Sequence, residues 1–351
     1  MTARRPRLDP ATAAIRTALR GHLETSVAAL PANPVRLIIA VSGGPDSFAL
    51  ADAAAFLATR PTGLTAAGRP IELSAATVDH QLQPVTAEVC AAVCEHLTAA
   101  GLPTVVLTRP VTAGPAGLEA AARTTRYAAL DEHRRDIGAA AVLTAHTRDD
   151  QAETVLLGLA RGSGARSVAG MRAVSEVDGC PVWRPLLDIT RDQTTASAAA
   201  RGLPVWHDPM NDDPAYARVR ARTQALPTLE AALGPGISEA LARTGTQLAA
   251  DADALDDWAA AVQATHTSGT ETRASLAALP AALRTRLLRS WLHALTARPQ
   301  EVTAAHISAV DALATGRRLG KVSVPSAAEV VRTRRGQGPA GLRFQRLRTS
   351  S

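Results

Sequence analysis

Residues 37–50 read LIIAVSGGPDSFAL, an apolar run halted by two glycines and resumed behind Asp46 and Ser47. LIIAV (37–41) is short and β-branched, as a buried strand should be, and the resumed run predicts a helix over Ser47–Thr59. Gly43 and Gly44 allow a tight turn and bring backbone N–H groups close to an anion. Ser47 is placed to cap the helix, whose N-terminus carries positive partial charge. Strand, glycine turn and helix start together make an anion site. No lysine follows the glycines and the G-x-x-x-x-G-K spacing is absent, so this is not a Walker A loop. Nor is it G-x-G-x-x-G. A bare Gly-Gly would be only a turn, but Ser-Gly-Gly-x-Asp-Ser between a strand and a helix is a phosphate loop.

The same alternation continues outward. IELSAATVDH (71–80) precedes a helix over Thr86–Ala100, and PTVVLTRPV (103–111) precedes one over Gly117–Ile137. AAAVLTA (139–145) precedes a helix over Asp149–Ala160. Strand–helix alternation argues for an α/β fold, a Rossmann-like parallel sheet with helices on both faces. In such sheets ligands lie at the carboxyl ends of the strands. After Pro185 the sheet pattern fades, and Pro227 and GPG (234–236) punctuate the chain. Ile237–Ala264 and Ser275–Thr296 read as helices, and KVSVPSAAEVVRTRRG (321–336) as a short β-hairpin. The organisation expected is an N-terminal helical extension (1–34), a catalytic domain (35–228), and a smaller, mainly helical C-terminal domain (229–351) with a basic hairpin tail.

The 351 residues are 46% apolar and 20% charged, a soluble globular composition with room for two cores. No apolar stretch approaches the roughly 20 residues that span a bilayer, and the basic N-terminus lacks the apolar centre of a secretion signal. The cytoplasm is the expected location, with no membrane association. Cys90, Cys94 and Cys180 are too few and scattered for a disulfide framework. Cys90 and Cys94, four apart on a helix, read as core residues. The formal net charge is +6, and Lys321 is the only lysine. From Gly316 to Ser351 nine basic residues face one acidic residue, Glu329. That tail is either a solvated surface or a nucleic-acid contact.

Three further stretches carry chemistry. TAHTRDDQAETVLLGLARGSG (144–164) leaves a strand end and enters a helix. Asp149 and Asp150 lie at its N-terminus, where negative charge is favoured, and Glu153 lies on the same face. A capped, solvated helix start would explain the acids, but not the RGSG that closes the helix and offers an arginine and backbone amides to an anionic polymer. GLEAAARTTRYAALDEH (117–133) sets Glu119, Arg123 and Arg126 at helical spacing beside Tyr127. VWHDPMNDDPAYARVRAR (205–222) groups Tyr216, Arg218, Arg220 and Arg222. Read alone, the first is an amphipathic helix and the second a surface linker. Arginines beside an aromatic also suit RNA, whose bases stack and whose phosphates pair with guanidinium groups.

Ser42–Ser47 resembles the PP-loop of the N-type ATP pyrophosphatases (HUP-type fold), which holds the β- and γ-phosphates of ATP while the α-phosphate is attacked. The ordered set SGGPDS, VDHQL (78–82), GLEAAARTTRY, AHTRDDQAET, ARGSG, RPLL (184–187) and D-P-x-N-x-D-x-x-Y-x-R (208–218) resembles the tRNA(Ile)-lysidine synthetase family over about residues 35–230. Residues 302–335 are more loosely similar to that family's first C-terminal domain. The resemblance implies a reaction. ATP adenylates O2 of the wobble cytidine in a CAU anticodon, lysine attacks C2, AMP leaves, and lysidine results. It implies ATP and Mg²⁺ as substrate and cofactor, tRNA(Ile) and free L-lysine as partners, and leaves a homodimer open. It assigns ATP to Ser42, Gly43, Gly44, Asp46, Ser47 and His80, with Mg²⁺ on Asp46 and Asp150. Asp46, Arg123, Asp149, Asp150 and Glu153 would be catalytic, Arg123 at the α-phosphate and the last three around the lysine amine. Arg161, Ser163, Tyr216, Arg218 and Arg222 would touch tRNA.

Two positions depart from the family pattern: Thr147 stands where a second histidine is common, and Val219 where asparagine often follows Arg218. Competing readings are a tRNA 2-thiolation enzyme of the same superfamily, a non-catalytic Arg-rich RNA-binding protein, and a small-molecule amidotransferase-type ligase. The first calls for paired CxxC motifs that three cysteines cannot supply. The second predicts a degraded nucleotide loop, and the third an ammonia-supplying domain.

Overall fold

The computed structural model describes residues 8–83, 85–112, 117–162, 164–265, 273–332 and 341–347. The chain begins α1 (Pro10–Val27), β1 (Val35–Ala40), α2 (Pro45–Ala58), β2 (Thr65–Ala66), β3 (Arg69–Asp79), α3 (Val85–Ala99) and β4 (Thr104–Thr108). It continues α4 (Leu118–Asp136), β5 (Ala141–Leu143), α5 (Arg148–Arg161), α6 (Ala165–Val168), β6 (Val174–Val177), β7 (Cys180–Trp183) and α7 (Arg191–Ala200). Then come α8 (Ala217–Arg220), α9 (Leu226–Leu233) and α10 (Ile237–Thr265).

The predicted parallel sheet is present. β1 pairs in parallel with β3 on one side and β5 on the other, in register Leu37↔Leu73 and Leu37↔Ala141. β4 extends the sheet beyond β3, and β7 beyond β5, both parallel. The order therefore reverses direction at β1, the topological switch point where α/β sheets bind ligands. The glycine loop leaves β1 at that point. β1 is sandwiched, since Leu37, Ile38 and Ile39 are buried in succession. Leu37 and Ile39 join the core under α1 and α2, whereas Ile38 between them packs with Tyr127 and Leu130 of α4.

α2 shows no polar stripe because it has no solvent face: ten of its fourteen residues are buried. α1 covers its outer side, with Ile15, Leu19, Leu23 and Val27 in the same core. The N-terminal segment is thus a structural layer, not an appended extension. Asp52, on this buried helix, is held by Arg201 at 3.0 Å and Arg16 at 3.5 Å. The β6–β7 antiparallel hairpin and α7 occupy the region where the sequence pattern fades.

The first compact unit continues past residue 228 to Thr246, and the second starts at Gln247 and takes in Arg166. Pro227 lies within a helical run and does not end it. Residues Ala221–Ala225 form a π-helical turn between α8 and α9, a widening that accommodates the N–H that proline lacks. In the second unit α11 (Arg273–Ala278), α12 (Ala281–Leu295) and α13 (Ala304–Ala314) pack on a three-stranded antiparallel sheet of β8 (Lys321–Val324), β9 (Ala328–Arg332) and β10 (Leu342–Arg346). The single helix expected over 275–296 is two, since Pro280 N-caps α12. The predicted hairpin gains a third strand, β10. Among the described residues no helix is long and apolar enough to cross a membrane.

Helix α5 lies unusually close to the segment that follows it. A Cβ on Gly158 would stand 2.1 Å from the Ser167 carbonyl oxygen, and one on Gly245 would stand 2.6 Å from Val155 Cγ2. Gly158→Ala gains about 1 kcal/mol of helix propensity but incurs overpacking against backbone of about 1–3 kcal/mol. The variant should show a lower urea midpoint with an unchanged slope; an unchanged or raised midpoint would refute the close approach.

Candidate active site

The glycine loop is fastened from two directions. Gly43 has φ +86°, and a Cβ there would lie 3.1 Å from Val89 Cγ1, so both backbone and space call for glycine. Its carbonyl accepts the Trp206 N–H at 2.9 Å, which ties the loop to the chain beyond α7. Ser47 does not cap α2 as expected. Its hydroxyl donates to the Gly44 carbonyl (3.0 Å) and accepts the Ser42 N–H (3.1 Å), locking the loop onto itself. Gly44 is the N-cap and makes no side-chain cap bond. The helix start thus keeps its orphan donors for an anion.

Beside the loop lies a cavity of about 280 Å³, lined among others by Ser42, Asp46, His80, Arg126, His146 and Asp150. Burial, and then Arg126, lowers His80 to about 4, and burial lowers His146 to about 3. Both imidazoles are therefore neutral at physiological pH and act as hydrogen-bonding groups. His146 Nδ1 bonds Thr144 Oγ1 at 2.8 Å. His80 Nδ1 is buried without a partner, a polar atom that an incoming ligand can satisfy.

The predicted carboxylates converge, and they do so on a residue the sequence reading passed over. Arg191, in the first turn of α7, reaches Asp150 Oδ1 through Nη2 (3.0 Å) and Glu153 Oε1 through Nη1 (3.1 Å). Its Nε lies 3.8 Å from Asp46 Oδ2, and its backbone N–H donates to Asp149 Oδ2 at 2.8 Å. One turn further, the Thr194 hydroxyl donates to Asp46 Oδ1. Arg218 donates to Glu153 Oε2 at 3.0 Å and to Thr154 Oγ1 at 2.9 Å. Glu153 is 1% exposed and has a guanidinium on each oxygen.

Electrostatics divides the acids. Burial pushes Asp46 up to about 6, against the opposing pull of Thr194 and Arg191. Burial also raises Glu153, despite its two arginines. For Asp150 burial is outweighed by Arg191, His146 and Arg218, and the carboxyl falls below its usual value. Asp150 also forms a reciprocal cap with Thr147, its Oδ2 accepting the Thr147 N–H (2.8 Å) and hydroxyl (2.9 Å). The departure at Thr147 is thereby explained, since this residue is the N-cap of α5. Val219 is likewise a packing residue, 6% exposed.

The remaining site residues fall in different places. Arg123 is exposed over the Tyr127 ring, 4.9 Å from its centroid; Arg126, one turn on, is the α4 cation that lines the cavity. Arg218 faces inward to Glu153. Tyr216 N-caps α8, and Arg222 donates to the Asn211 carbonyl. Arg161 ends α5, about 20 Å along the helix from Arg148 at 1.5 Å per residue. Ser163 lies outside the described residues. The sequence marks the start of α7 through the capping box of Thr190 and Gln193, but not the contacts that Arg191 and Thr194 make.

A PP-loop domain family model matches residues 19–229, and a TilS substrate binding domain model matches residues 273–337. A tRNA(Ile)-lysidine synthase of Salinispora tropica is 46% identical over 93% of this chain and 95% of its own. One of Thermobifida fusca is 47% identical over 87% and 90%, and one of Streptomyces coelicolor 47% over 88% and 85%. Among solved structures, the U34-tRNA thiolase NcsA of Methanococcus maripaludis shares the fold. Its TM-score is 0.52 at 16% identity, over 68% of this chain and 78% of that one.

The elevated Asp46 carries a pH signature. Its value in the folded protein, about 6, exceeds the ordinary aspartate value of 3.8, so the native state binds the proton more tightly than the unfolded chain does. The stability this contributes is present below about 3.8 and is lost as pH rises through about 6. The gap corresponds to about 3 kcal/mol at pH 8 and about 1 kcal/mol at pH 4.5. Asp46→Asn keeps an oxygen for Thr194 and removes the charge. Its unfolding free energy should exceed that of the parent by more at pH 8 than at pH 4.5, and a pH-independent difference would refute the assignment.

Proposed function

The chain belongs to the tRNA(Ile)-lysidine synthase family, a family of tRNA-modifying ligases that use ATP, and we propose the course of its reaction from the groups at the strand ends. ATP adenylates O2 of the wobble cytidine in a CAU anticodon and pyrophosphate leaves. The ε-amine of lysine then attacks C2, AMP departs, and lysidine is formed. The observation that carries this reading is the meeting of two sites at one switch point. Asp46, on the loop that would hold the phosphates, and Asp150, on the helix that would hold the amine, line the same cavity.

Roles follow from what each group offers. The loop from Ser42 to Ser47, with its uncapped helix start, holds the departing pyrophosphate. His80, neutral and with Nδ1 unsatisfied, takes a hydrogen bond from nucleotide. Arg126 lines the cavity and is placed to stabilise charge at the α-phosphate, the role the resemblance gives Arg123 one turn earlier. Asp149, Asp150 and Glu153 form the acidic seat for the lysine ammonium, with Glu153 Oε2 held by Arg218. The residues fit Mg²⁺, which typically takes one or two carboxylates and substrate phosphates: Asp46 lines the cavity and lacks a close full counter-charge, with Asp150 beside it engaged by Thr147 and Arg191. There the metal would neutralise phosphate charge. Arg161, Ser163, Tyr216 and Arg222 contact tRNA, while Arg218 acts through Glu153.

Incubation with ATP, radiolabelled lysine and a CAU-anticodon transcript should label the RNA, and a transcript with the cytidine changed to uridine should stay unlabelled. Absence of label in the first, or equal label in both, would sink the reading. Arg222→Ala should weaken tRNA binding and reduce the slope of log affinity against log salt by about 1. An unchanged slope would remove Arg222 from the RNA surface.

A further inference from the structure

We propose that Arg191 occupies the seat of the substrate ammonium until nucleotide draws it away, so that lysine binds productively only after ATP. The proposal rests on the ligase reading above and deepens it.

The geometry of the carboxylates is that of an exchangeable seat. Each of the two principal acids has one oxygen held by a resident partner and one oxygen held by Arg191. Asp150 Oδ2 is fixed by the N–H and hydroxyl of Thr147, at 2.8 and 2.9 Å. Glu153 Oε2 is fixed by Arg218 Nε at 3.0 Å. The remaining oxygens, Asp150 Oδ1 and Glu153 Oε1, both point to the terminal nitrogens of Arg191. Withdrawal of that guanidinium frees one oxygen on each acid without loosening either side chain. An ammonium group, with three donors and no acceptor, fits two such oxygens and has one donor to spare.

An empty seat is costly. Glu153 is 1% exposed, so once that guanidinium leaves, water does not reach Oε1 and only Arg218, on Oε2, remains beside the charge. Arg191 and the substrate amine are therefore competitors for one position. What would move Arg191 lies on its other side. Its Nε is 3.8 Å from Asp46 Oδ2, and Asp46 belongs to the phosphate loop. A polyphosphate in that loop offers the guanidinium stronger charge than the carboxylates do. The side chain is 24% exposed and can swing. Its backbone is pinned, because the Arg191 N–H stays on Asp149 Oδ2 at 2.8 Å. Arg191 thus has two alternative partners from one anchor point.

The test is calorimetry of L-lysine binding to the full chain, with and without α,β-methylene-ATP. The parent should bind lysine at least tenfold more tightly with the analogue. Arg191→Met without nucleotide should match the parent with nucleotide, whereas a merely structural arginine would lose lysine affinity on removal. Arg218→Met removes the same charge from Glu153 but not from the seat, and should show no such gain. Equal lysine affinity of the parent with and without analogue would overturn the proposal, and this arm stands even if Arg191→Met does not fold. No gain in Arg191→Met, or an equal gain in Arg218→Met, would overturn it as well. Failure of the parent to label a CAU transcript would sink the ligase reading itself; labelling with nucleotide-independent lysine affinity would sink only the role of Arg191.

Discussion

Acidic side chains gathered at the end of a buried sheet need cations among them, and that constraint organises the first unit. Asp46, Asp149, Asp150 and Glu153 come from the glycine loop and from α5, and among the described residues only Arg191 meets all four. Desolvated carboxylates left without such a partner would take up protons or drive the elements apart. The arginine is in turn placed by α7, whose other end places Arg201 on Asp52 of α2. α7 therefore staples the phosphate-loop helix at two points, once by Thr194 on Asp46 in its first turn and once by Arg201 on Asp52 at its middle. Close packing at Gly158 and Gly245 holds α5 against its surroundings from another side.

Local features of the site were legible in sequence because they are local in physics. The glycine turn, the strand ends and the acidic start of α5 are set within a few residues, and each was found where its pattern lay. Long-range features were not. Nothing in LDITRDQT announces that Arg191 will span to residues 41 and 38 positions away, because a salt bridge leaves no periodic trace. Arg123 and Arg126 share the same helical spacing; which of them faces the cavity depends on how α4 is rotated against the sheet, with Tyr127 and Leu130 buried. Ser47 was read as a cap because a serine after a glycine turn is a good one. The structure gives that hydroxyl a tighter task, closing the loop on itself.

Domain limits were harder still. A proline after a polar stretch ordinarily ends a helix, and Pro227 does not, because a π turn precedes it. In the second unit Pro280 does divide two helices. There a buried ion pair, Arg284 with Asp311, joins α12 to α13, and Arg317 reaches the same acid. Part of the basic character of this region is thus internal pairing: Lys321 also lies 2.7 Å from Glu329. The charge excess of the tail is smaller at the surface than a count of arginines indicates.

The hydrogen bond from the Trp206 N–H to the Gly43 carbonyl joins residues 163 positions apart. The loop is written near the start of the chain but fastened by a residue made much later. A ribosome must deliver the whole parallel sheet, α7 and the segment behind it before the Gly43 carbonyl meets this partner. Nascent chains that end short of this point carry the glycines without the clasp. The clasp thus becomes available only after every strand of the parallel sheet has been made.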